Sequence, residues 1–161
     1  ISNDDGDRAV VEEGRLEDGE WRWSELPPAP RPSGAGGLIA VTQALVKRGR
    51  CDLPNGVMAL GAAVVPLTGL LQGRFVAYIG SVKLWAAAGA LPLIARHGLA
   101  MSVLVDGERR RVTQVVDESI FHLGADDPRR WYFRGSLMIC RPEDETLMAE
   151  ALIEDDTGSG D

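Results

Sequence analysis

Hydrophobic and polar positions divide this chain into a charged start, an almost uncharged middle and a charged end. From Leu53 to Val105 the only charged residues are Arg74, Lys83 and Arg96. Two stretches there are apolar enough to raise the question of a membrane. Val57 to Leu71 is only about 15 residues long and holds Pro66 and two glycines, whereas a spanning helix needs roughly 20. Phe75 to Ala95 is long enough, but Lys83 near its centre is costly in hydrocarbon. The middle is therefore read as buried core, with no membrane span.

The periodicities predict the elements. Val10-Val11 and Trp21 to Trp23 flank Asp18-Gly19, a type I′ turn signal, and predict a short hairpin with both tryptophans on one face. The proline-rich run Pro27 to Pro32 is a stiff linker. Leu38 to Arg48, stopped by Gly49, predicts a helix. Met58 to Leu71 fits buried helix or strands equally. Phe75 to Trp85 predicts a strand buried on both faces, and 86–90 and 92–97 predict short helices, the second stopped by Gly98. Leu99 to Val105 and Glu108 to Val116 around Asp106-Gly107 predict a hairpin that pairs Val105 with Glu108, Val103 with Arg110 and Ser102 with Arg111. Arg129 to Cys140 alternates as a strand with Trp131, Phe133, Leu137 and Ile139 inward and Tyr132, Arg134, Ser136 and Met138 outward. Pro142 followed by acids and Leu147, Met148, Ala151 and Leu152 predicts an amphipathic helix. The sum is an α+β, β-rich fold with an antiparallel meander over about 75–140 and flanking helices.

Charge is sorted by sign. Residues 1–34 carry a net −5, residues 35–141 a net +6 and residues 142–161 a net −8, adding to the formal −7 of the 161-residue chain. This predicts three parts: an acidic N-terminal segment and proline-rich linker over 1–32, a globular basic body over 33–141, and an acidic helix with a flexible tail over 142–161. The two cysteines, Cys51 and Cys140, are too few for a disulfide scaffold and read as buried thiols in a reducing intracellular compartment. The chain begins at Ile1, which reads as a fragment or a processed product.

No motif names a reaction. His97 and His122 stand outside any metal-binding spacing, so no metal and no cofactor are expected. Cys51 follows Arg48 and Arg50, a basic setting, but no nucleophile signature surrounds either cysteine. Gly34 to Gly37 lacks the Gly-Lys-Ser/Thr of a phosphate loop and reads as a hinge. Arg109, Arg110 and Arg111 alternate between the faces of the predicted hairpin, where they could grip phosphates or deter edge pairing. Arg129, Arg130, Tyr132 and Arg134 have the composition of a single-strand nucleic-acid surface, while Trp131 and Phe133 share the core face. Leu147, Met148, Ala151 and Leu152 form an apolar stripe that a partner groove could take.

These features lead to a first expectation of a non-catalytic interaction or self-assembly module, a class that includes viral and phage structural proteins, acting as a homo-oligomer or with a protein partner. A nucleic-acid-binding domain with self-masking acidic tails is the second reading. A small enzyme using His122 or His97 with a nearby acid or Cys51 is the third.

Overall fold

The computed structural model describes residues 12–25, 37–105, 108–112, 116 and 118–154. A hairpin of β1 (Glu12–Glu17) and β2 (Glu20–Glu25) turns at Asp18 and Gly19, where the sequence predicts, with φ 52° and 82°. Val10 and Val11, expected in the first strand, lie outside the described residues. Both values belong to a type I′ turn, which glycine enters without strain. The linker 27–32, the turn 106–107 and the tail 155–161 lie outside the described residues.

The body is built on β3 (Leu38–Thr42), β5 (Val57–Leu60), β6 (Phe75–Gly80), β7 (Ala100–Val105), β8 (Glu108–Arg111) and β9 (Ser136–Cys140), in the spatial order β5-β3-β6-β9-β7-β8. The fold class is α+β as expected, but the sheet is mixed: β3 runs parallel to both β5 and β6, and the remaining pairs are antiparallel. The meander omits this parallel half because the strand Leu38–Thr42 replaces the start of the predicted helix, leaving only α1 (Gln43–Arg48). Ile39, Ala40 and Val41 are buried on both faces of the sheet. A continuous apolar run of that kind suits a central strand as well as a helix, and its β-branched residues favour the strand. The ambiguous segment 58–71 divides at Gly61 into β5 and α2 (Val64–Leu71).

Helices cover both faces. On one face α2, α3 (Leu84–Ala87) and α4 (Leu91–Arg96) pack with the loop 120–133 over Ala40, Tyr78, Leu137 and Ile139. On the other, α1 and α5 (Glu145–Ala151) cover Ile39, Val41, Ala77, Ile79, Met138 and Cys140. A register shift puts Phe75 on the first face and both Val76 and Ala77 on the second. Each fully buried Leu, Ile or Met contributes roughly 1.5–3 kcal/mol.

Two further expectations change. The β7–β8 register is the predicted one, Val105 to Glu108 through Ser102 to Arg111. The predicted strand 129–140, however, is regular only over β9, and Trp131 has φ 71°. That left-handed residue breaks the alternation: Phe133, Leu137 and Ile139 stay on one core face, Trp131 is partly exposed, and Met138 is fully buried on the other face. The acidic C-terminal helix is also docked: Met148 and Ala151 are buried, and β10 (Leu152–Glu154) pairs with β4 (Gly49–Cys51). Among the described residues no helix is long and apolar enough to cross a membrane.

Candidate functional site

The parallel half of the sheet fixes one place in advance. From β3 the chain moves outward to β5, then crosses through α2 to β6 on the other side of β3. In open sheets containing such a reversal, ligands bind in the crevice outside the carboxyl ends of the strands where the order reverses. Here those ends are Thr42, Leu60 and Gly80. Gly80 is required by close approach, because a Cβ there would fall 2.7 Å from Thr42 Oγ1. That hydroxyl is buried and unpaired with any other described group.

Leaving β6, the chain passes Ser81 and Val82 and presents Lys83. A second segment is stitched onto this strand end. Lys83 forms a backbone bridge with Tyr132, the Leu84 amide donates to the Trp131 carbonyl at 2.8 Å, and the Phe133 amide donates to the Val82 carbonyl at 3.2 Å. The Lys83 ammonium then lies 5.0 Å from the Trp85 ring centroid and 4.9 Å from that of Tyr132. Trp85 is 60% exposed. Among the described residues no carboxylate reaches Lys83 as an ion-pair partner. A cation whose neighbours are π faces keeps its charge available to an incoming anion.

The stitched loop is braced from within. The His122 amide donates to the Tyr132 carbonyl at 3.0 Å, and the Trp131 amide to the His122 carbonyl at 2.7 Å. His122 Nδ1 is 2.8 Å from Asp127 Oδ2, and Asp127 Oδ1 accepts the Arg129 amide at 2.8 Å. The Arg129 amide first, then His122, holds the Asp127 carboxyl below its ordinary value against the opposing effect of burial. An ionised carboxylate only accepts, so Nδ1 of a neutral His122 carries the proton. Trp131 is fixed at both ends of its peptide unit, and Arg130 lies 5.0 Å over its ring.

The other residues singled out by sequence are dispersed or engaged. Arg109 reaches Glu145 at 3.8 Å and Thr146 Oγ1 at 3.5 Å. Arg110 donates to the Ser119 carbonyl at 3.1 Å, and Arg134 donates to the neighbouring Glu118 carbonyl. Those two arginines therefore bind adjacent carbonyls of one segment, while Arg111, Arg129 and Arg130 are exposed. Met148 and Ala151 face the core and Leu147 is 54% exposed, so the four-residue stripe is not one continuous open surface. His122 has an acid partner, as the enzyme reading asked, but it is Asp127; Asp117 lies outside the described residues. His97 closes the end of α4. Cys51 packs with the opposite face of the sheet from the His122 loop, and its neighbour Arg50 is paired with Asp52 at 2.8 Å. The Cys140 thiol is pushed up to about 12, chiefly by burial and then by Glu145, and is a poor nucleophile at neutral pH. Thr42, Lys83 and Trp85 were missed by sequence reasoning. The signal for Lys83 was present: a lone charge beside a tryptophan in an otherwise uncharged stretch.

No family model matches the sequence, and no curated protein is similar to it. Solved structures are similar in fold. An IMPase/NADP phosphatase complexed with Mg2+ and phosphate aligns with a TM-score of 0.52 at 14% identity, over 92% of this chain and 51% of that one. An IMPase with inositol monophosphate bound aligns with a TM-score of 0.51 at 13% identity, over 86% of this chain and 53% of that one. The chain thus spans about half the length of these structures. The Mg2+ named for the first finds no counterpart in donor groups: among the described residues no three His, Cys, Asp or Glu side chains converge as a metal site. The likeness overturns the expectation of a non-catalytic, self-assembling structural module, because the fold this chain shares is one that phosphatases carry.

Proposed function

We propose that this chain is the substrate-orienting part of an enzyme acting on small phosphorylated molecules, with the phosphate held at the carboxyl ends of β3, β5 and β6. The observation that carries the reading is the Lys83 ammonium, held between Trp85 and Tyr132 at that strand edge with no described carboxylate against it. An oriented cation beside an apolar wall favours the charge of a phosphate ester and the charge that develops as the ester is cleaved. The solved phosphatases of the same fold support the choice of phosphate by analogy. In the hydrolysis, a water oxygen bonds to phosphorus while the ester P–O bond breaks, and the water's proton leaves with the alcohol. His122 and Asp127 serve as positioning residues that hold the Tyr132 loop, since the imidazole is only 6% exposed. Because the chain spans about half the length of its structural neighbours, the complete activity in this reading belongs to a larger unit.

The test is calorimetric binding of inositol monophosphate and of NADP to the full chain and to Lys83→Met, with circular dichroism to verify the fold. Saturable binding of at least one ester, weakened about tenfold or more by the substitution, is expected; tenfold is about 1.4 kcal/mol. Absence of binding to both esters by the wild-type chain refutes the reading.

A further inference from the structure

The crevice has the wrong charge for a hard divalent cation. Magnesium is held through carboxylates together with the substrate's phosphate oxygens. From Leu53 to Val105, the stretch that supplies β5, β6 and the segments leaving their carboxyl ends, the sequence contains no Asp or Glu. The side chains that follow those ends are neutral or positive: Gln43, Ser81 and Lys83. The stitched loop brings two acids, but Asp127 already accepts from His122 Nδ1 and from the Arg129 amide, Asp126 is exposed on the turn, and among the described residues no third donor joins them as a metal site. Lys83 occupies this edge with its charge uncompensated by any described carboxylate. Among the described residues the charge fixed at this strand end for an anion is the Lys83 ammonium.

We infer that this site takes its phosphate directly on the Lys83 ammonium, so that phosphomonoester binding by this chain is independent of divalent cations. The inference rests on the phosphoester reading above and adds to it how the anion's charge is neutralised. Lys83 is pre-positioned by the Trp85 and Tyr132 rings. The ligand class follows: a phosphomonoester dianion presented without its metal.

The experiment titrates inositol monophosphate, then NADP, into the full chain in excess Mg2+ and again in EDTA, and titrates Mg2+ alone as a control. Lys83→Met removes the charge and keeps the aliphatic stem; Lys83→Arg keeps the charge. The expected result is equal affinity within about twofold with Mg2+ and with EDTA, a loss of about tenfold or more in Lys83→Met, and rescue by Lys83→Arg. Binding that appears only with Mg2+, or a saturable Mg2+ isotherm without ester, overturns the inference while leaving the phosphoester reading standing. Metal-free binding that Lys83→Met leaves unchanged overturns it as well. An ester that fails to bind under every condition refutes both together.

Discussion

Trp131 and Lys83 depend on each other through a few backbone bonds. A bulky L-residue at φ 71° costs about 1–2 kcal/mol relative to an ordinary conformation. Trp131 stays there because its amide donates to His122 and its carbonyl accepts from Leu84, the residue after Lys83. The strain therefore lies directly beside the lysine of the proposed site. Two variants separate backbone from ring. Trp131→Ala and Trp131→Gly lose the same indole, so their difference reports the backbone alone. Urea unfolding is expected to find Trp131→Gly more stable than Trp131→Ala by about 1 kcal/mol. Equal stabilities would mean that residue 131 leaves the left-handed region once the ring is gone, and that the loop does not enforce it. The Asp127 carboxylate supports the same loop, and its lowered pKa means that its contribution is present above its ordinary value of 3.8 and is lost as pH falls through the lower folded value.

Among the elements, α5 answers how the acidic end relates to the body. Its buried Met148 packs in the cluster with Met138 and Cys140 of β9 and Leu45 of α1, Ala151 is buried as well, and the chain continues into a strand beside β4. Met148→Ala is expected to cost about 2–5 kcal/mol in chemical denaturation, as for other buried large-to-small changes. A cost under about 0.5 kcal/mol would mean that α5 does not stay docked. The Arg109–Glu145 contact at 3.8 Å, with Arg109 partly exposed, adds little to this. The elements also divide by how well local sequence specified them. The turn of the β1–β2 hairpin and the register of β7–β8 were legible because two-residue turns set pairing locally. The strand β3 was not: Leu38 to Thr42 runs apolar without alternation, and only its neighbours on both sides make it a strand. Strand β9 was legible, but the segment before it was not, since no residue type announces a left-handed tryptophan.

For the whole molecule, the sequence predicted a charge-sorted chain that assembles with copies of itself, and the fold replaced that reading. The proposed site was hidden because it is a product of topology. Thr42 and Gly80 come together only when β6 runs parallel beside β3, an arrangement that depends on crossing connections and leaves no local pattern. The candidates that were legible, Arg109 through Arg111 and Arg129 through Arg134, stood out by charge density, which marks solvated or internally paired groups as readily as binding groups. The most direct test of the central claim is a crystal structure of the full chain with a phosphomonoester. The account predicts the phosphate at the carboxyl ends of β3, β5 and β6, within ion-pair reach of Lys83 Nζ. A phosphate bound instead at the β8 arginines, with Lys83 untouched, would contradict it.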